Sequence, residues 1–70
     1  MAMPAAIAHQ PRRIMRLPQV QTLTGFGRAW IYELMSEGKF PKARKIGARA
    51  VGWDSQEVEQ WVADRLEGRA

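Results

Sequence analysis

The sequence contains no cysteine, which excludes disulfides and thiolate metal sites, the usual supports of small secreted or zinc-stapled domains. Histidine is nearly absent too. The single one, His9, sits in the opening stretch, and no pair of carboxylates is spaced to build a cleft, so acid–base and nucleophilic catalysis have no candidate groups. No metal-ligand or nucleotide-binding pattern appears. Long apolar runs are missing as well. Nothing approaches a membrane span, and Met1 to Ala8 has neither a basic n-region nor an apolar run long enough for a secretory signal. The expectation is a soluble, cytoplasmic protein that is not an enzyme, needs no metal or cofactor and does not engage a membrane.

The seventy residues present suffice for one domain, and a chain of this size buries only about 60% of its unfolded surface, so every large apolar residue counts toward the core. Eleven Lys and Arg against seven Asp and Glu give a net charge of +4, which suits a polyanionic partner. Distribution is more telling than the total. Gly38 to Trp53 carries Lys39, Lys42, Arg44, Lys45 and Arg49 with no acid, whereas Asp54 to Ala70 holds five acids against Arg65 and Arg69.

Residues 1–13 combine two prolines with small residues and no repeating apolar pattern, and read as a disordered arm. Its terminal Arg12 and Arg13 either touch phosphate or form a solvated tail. The remainder, 14–68, reads as one folded domain. Leu17-Pro18 signals a first helix, because proline suits the first helical position. Val20 and Leu23 fall on one face, Gly25 ends the helix in the left-handed conformation, and Phe26 folds back on its apolar side. A second helix is predicted from near Gly27 to about Glu37, with Ile31, Leu34 and Met35 at i, i+3, i+4. Gly25-Phe26-Gly27 between them has the length and glycine content of the turn in a helix-turn-helix.

After the break at Phe40-Pro41, the segments 43–46 and 50–53 alternate around Gly47-Ala48-Arg49, which predicts a small two-stranded hairpin with Arg49 at its tip. Ile46, Val51 and Trp53 face alternately inward and outward along it. Asp54-Ser55-Gln56-Glu57 resembles a capping box that opens a last helix. Its apolar stripe is Val58, Trp61, Val62 and Leu66, with Glu59, Gln60, Asp64 and Glu67 toward water. The fold class is therefore α+β, mainly helical: a winged helix-turn-helix of order α-α-β-β-α with a hairpin wing.

Placing Ile31, Leu34 and Met35 in the core leaves Ala29, Glu33 and Ser36 opposite, with Arg28, Trp30 and Tyr32 on the flanks. In helix-turn-helix folds the first turn of the second helix meets base edges in the major groove, so Arg28, Ala29, Trp30 and Tyr32 are the candidate readers. An arginine there suits bidentate pairing with guanine. Gly27 lets the free amides of the helix start approach a phosphate. Lys39, Lys42, Arg44, Lys45 and Arg49 are the candidates for neutralising the DNA backbone, with Arg49 directed toward a minor groove. Four to six phosphate contacts correspond to a log–log salt slope of about −4 to −5. Trp30 has two open readings, a cover for the core edge or a base or sugar contact. Glu33 repels phosphate and belongs either to a solvated face or to a cytosine contact. Trp53 and Trp61 are assigned to the core.

The string Arg16-Leu17-Pro18 with Val20, Thr24-Gly25, Arg28, Ile31-Tyr32, Gly38, Phe40-Pro41, Gly47-Ala48-Arg49, Val51-Gly52-Trp53 and Glu57-Val58 with Trp61 resembles the AlpA-type prophage regulatory proteins. These share the MerR-like and excisionase-like winged-helix fold, and the resemblance spans about 16–65. It implies a double-stranded DNA-binding transcription factor, nucleoid-associated, acting on genes of an integrated element. By position it assigns Arg28 and Tyr32 to the recognition helix and Arg49 to the wing tip. The family usually has Ser or Thr where this chain has Gly27, Ala29 and Trp30, and commonly Arg in place of Glu33, so the departures fall on the reading surface. Two alternatives stay open: an excisionase-like architectural factor working with a recombinase or integrase, and a protein-binding adaptor, to which Glu33 and Trp30 point. Self-association, as a dimer or a cooperative array, is also expected for so small a reading unit.

Overall fold

The computed structural model describes residues 11–68. Residues 1–10, which hold most of the expected arm, lie outside them. The elements in chain order are a short strand β1 (Ile14–Met15), helix α1 (Leu17–Thr24), helix α2 (Arg28–Ser36), strands β2 (Arg44–Gly47) and β3 (Ala50–Asp54), and helix α3 (Ser55–Leu66).

Each boundary has a local cause. Pro18 stands in the first turn of α1, the Gln19 side chain accepts the Arg16 N–H at 2.7 Å, and Gly25 closes the helix at φ 78° with its N–H on the Gln21 carbonyl. Gly38, at φ 73°, turns the chain after α2. Asp54 caps α3 by accepting the Gln56 N–H at 2.9 Å. Glu57, expected to complete the capping box, instead directs its carboxylate to Arg44.

The hairpin is present, and a third strand joins it. The sheet order is β1-β3-β2, antiparallel throughout, with Ile14 opposite Asp54, Met15 opposite Trp53, and Arg44 opposite Gly52. Between the pairs Lys45–Val51 and Gly47–Ala50, β2 has one residue more than β3, which makes Ile46 a bulge next to the wing tip. Gly52 is required where it is: a Cβ there would stand 2.5 Å from Ile14 Cγ2 and 3.3 Å from the Met15 carbonyl oxygen. Ile14 and Ile46 thus close over the bare backbone of β3 on the sheet face opposite Trp53.

The core gathers Met15, Val20, Ile31, Leu34, Phe40, Trp53 and Val58, with Leu17, Phe26, Met35, Ala43 and Trp61 packed around it. Burying side chains of this size contributes about 1.5–3 kcal/mol each. Two indoles also fix the connection from α2 to the wing. Trp53 Nε1 donates to the Pro41 carbonyl at 3.0 Å and Trp61 Nε1 to the Lys39 carbonyl at 2.8 Å, while the Phe40 ring lies 4.8 Å from Trp61 between those anchors.

Two apolar expectations shift. Leu23 is 40% exposed and Leu66 82% exposed, because both stand in the last turns of their helices, beyond the edge of the core. Val51 and Ile46 are also exposed, lying on the strands toward the wing tip.

Candidate nucleic-acid interface

Ile31 and Leu34, both buried, press one side of α2 into the core. The helical period then turns Arg28, Ala29, Trp30, Tyr32 and Glu33 outward, and all five are exposed. Gly27, the residue before the helix, has no side chain to cap it, so the first amides of α2 remain open to a ligand. Arg28 has no carboxylate partner among the described residues. Its guanidinium lies over the Tyr32 ring, 5.4 Å from the centroid, and Tyr32 in turn meets Trp53 edge-on at 6.3 Å. Trp30 has half its surface open, and its ring packs edge-on against Phe26 at 6.4 Å. Phe26 continues the contact to Trp61 at 5.9 Å.

The five cations of the basic strip divide into two groups. Lys42, Lys45 and Arg49 are exposed and make no ion pair among the described residues. Arg44 is engaged. Its guanidinium pairs with Glu57 and stands 3.7 Å from Asp54, so it ties β2 to the start of α3. Lys39 lies 3.6 Å from Glu37 on the surface. Trp53, which touches Tyr32, also belongs to β3, and Arg49 stands in the turn just before that strand begins. Helix α2 and the β2–β3 hairpin therefore meet at one side chain, Trp53.

Arg12 and Arg13 take structural partners. Arg12 donates from Nε at 2.8 Å and contacts with a terminal nitrogen at 2.7 Å the same Asp54 oxygen. The Asp54 side chain is only 6% exposed. Its carboxyl is held below the ordinary carboxylate value first by the hydrogen bond from Arg12, against desolvation, with the Gln56 amide and the charges of Arg12 and Arg44 adding to the effect. Arg12 is correspondingly held above its usual value by the same bond and charge. Arg13 lies 3.4 Å from Glu59. Its backbone clamps Ser55: the Arg13 N–H donates to Ser55 Oγ at 2.9 Å and the Ser55 N–H returns to the Arg13 carbonyl at 2.9 Å. Ser55 is fully buried. The sequence signals neither Ser55 nor the Arg12–Asp54 pair, because the partners stand 42 positions apart and no local pattern spans that separation.

Comparison with known proteins places the chain. The family described as "Prophage CP4-57 regulatory protein (AlpA)" matches residues 13–66. The chain belongs to this family. The AlpA match begins at β1 and ends with α3, so it takes in every element of the fold. Among curated relatives, the chain is 39% identical over 59 residues to the "DNA-binding transcriptional activator AlpA" of Escherichia coli K12, covering 76% of this chain and 84% of that one. It is 42% identical over 57 residues to "Uncharacterized protein ORF88" of Enterobacteria phage P4, covering 81% of this chain and 65% of that one. The chain thus spans under two thirds of the phage relative's length. No solved structure matches it. Among the described residues, no helix is long and apolar enough to cross a membrane. Within this AlpA fold, Gly27 adopts an extended conformation at φ −80°, and a Cβ there would meet nothing within 4 Å. The glycine is therefore not demanded by packing.

Proposed function

We propose that this chain is a sequence-specific double-stranded DNA-binding transcriptional regulator of the prophage and mobile-element type. In this reading α2 enters the major groove and the β2–β3 hairpin lies on the adjacent backbone or minor groove. The observation that carries it is the opening turn of α2. It presents Arg28 without an acidic partner among the described residues, beside open helix amides, and Ile31 and Leu34 anchor it from behind. The E. coli relative's description as a DNA-binding transcriptional activator points the same way.

Arg28 is the base reader, by bidentate hydrogen bonding to guanine. Ala29 and Trp30 supply apolar contact at the same turn. Lys42, Lys45 and Arg49 meet phosphate, and Lys39 joins them by exchanging its surface carboxylate for a DNA oxygen. Arg44 chiefly aims the wing, because its guanidinium is already engaged by Glu57 and Asp54. Three to four phosphate contacts give a log–log salt slope of about −3 to −4. A nine-residue helix and a narrow tip cover few base pairs, so regulation calls for two or more copies on neighbouring sites.

The test is fluorescence anisotropy at low salt with labelled duplexes, followed by footprinting on DNA beside the protein's own gene. Binding that weakens along that slope and a protected tract are expected. No binding to any duplex would end the reading.

A further inference from the structure

We infer that Tyr32 is a positioning residue: its ring, wedged between Trp53 and Arg28, holds the Arg28 guanidinium in the orientation that reads bases. This deepens the DNA-binding reading above and rests on it. The geometry begins in the core. Trp53 is 1% exposed and its indole N–H is bonded to the Pro41 carbonyl at 3.0 Å, so its plane is fixed. Tyr32 meets that plane edge-on, at 6.3 Å and 67°, the arrangement that the aromatic quadrupole favours.

A side chain on a helix leans toward the N-terminus, so Tyr32 covers the turn that contains Arg28, four residues before it. The guanidinium lies over the ring at 5.4 Å, within reach of a cation–π attraction. The Tyr32 hydroxyl has no hydrogen-bond partner among the described residues, so ring contacts alone hold the side chain. An unstacked arginine must freeze several rotatable bonds before it can present two donors to a base. Stacking removes part of that cost in advance and leaves the guanidinium edge free for hydrogen bonding. The arrangement acts on sequence preference more than on general affinity, since phosphate contacts elsewhere supply the latter.

The test compares the wild type with Tyr32→Phe, Tyr32→Leu and Arg28→Ala. Each is used to select from a duplex pool with a randomised centre, and bulk affinity for the unselected pool is measured alongside. The wild type is expected to enrich a motif, and Arg28→Ala to lose preference at certain positions of it. Tyr32→Leu should weaken preference at those same positions by about two- to fivefold, as expected for losing an exposed cation–π contact. Tyr32→Phe should keep that preference, and in Tyr32→Leu preference should fall more than bulk affinity.

Because Tyr32→Leu also removes a contact to Trp53, the stacking is read independently by NMR on the free protein. The Arg28 Nε–H and δ-methylene protons should be shifted upfield by the ring in the wild type and in Tyr32→Phe. A wild type that enriches a motif unaffected by Tyr32→Leu, a loss as large in Tyr32→Phe as in Tyr32→Leu, or Arg28 protons at ordinary shifts would each overturn the inference alone. A wild type that enriches no motif would remove the base-reading proposal and this inference together.

Discussion

The exposed basic side chains of this molecule fall into two groups that the fold treats in opposite ways. Three arginines from two segments, the adjacent Arg12 and Arg13 and the distant Arg44, are each met by a carboxylate of β3 or α3. Lys42 ahead of β2, Lys45 and Arg49 on the wing, and Arg28 at the start of α2 have no such partner among the described residues. One region spends its positive charge on holding the chain together, and the other leaves it available for a polyanion. A net charge of +4 thus understates how the molecule is divided, since five of the seven acids lie from Asp54 onward.

The sharpest challenge to this contrast is to remove the side chain common to both regions. Trp53→Ala is expected to cost about 3–5 kcal/mol, the usual loss for deleting a large buried aromatic, and chemical denaturation would measure it. A loss under 1 kcal/mol would mean that the two regions are not joined through Trp53. Next comes the structural end alone. Ser55→Ala removes the acceptor of the Arg13 amide inside the protein and should cost about 1–2 kcal/mol, with DNA affinity unchanged once the chain is folded. An equal fall in affinity for every duplex would place Ser55 in the binding region and blur the contrast.

A smaller effect separates the arginines. Arg49→Ala or Lys45→Ala should weaken binding to all duplexes and shallow the salt slope by about 1, whereas Arg44→Ala should lower stability and change the slope less. Equal slope changes for Arg44 and Arg49 would erase the distinction. The smallest effect is one of acidity. The folded-state pKa of Asp54 lies below its ordinary value of 3.8, so the stabilisation is fully present above that value and is lost as pH falls through the lowered one. Denaturation midpoints of the wild type should therefore fall more between pH 5 and pH 2 than those of Asp54→Asn; parallel curves would show that the Arg12 pair contributes nothing.

The elements were largely legible because their signals are local. Pro18 and Gly25 bracket α1, Asp54 opens α3, and the spacing of Ile31 and Leu34 names the buried side of α2. β1 was not legible: two residues cannot display an alternating pattern, and Ile14 and Met15 form a strand only because β3 offers them an edge. Within the candidate site, the exposure of Arg28 and Trp30 follows from the helical period, but the stack of Arg28 on Tyr32 on Trp53 does not, since Trp53 arrives from a different element. Leu66 was misjudged because periodicity reports the apolar face of a helix but not how far the neighbouring core extends.

By itself the sequence determined where helices start and stop, which faces are apolar and where cations accumulate, because each depends on neighbours within a few positions. Only the tertiary structure decided which of those cations are cancelled. Arg44 reaches Glu57 across 13 positions, Arg12 reaches Asp54 across 42 and Arg13 reaches Glu59 across 46, and electrostatic pairing falls off with distance in space, which the order of residues does not encode.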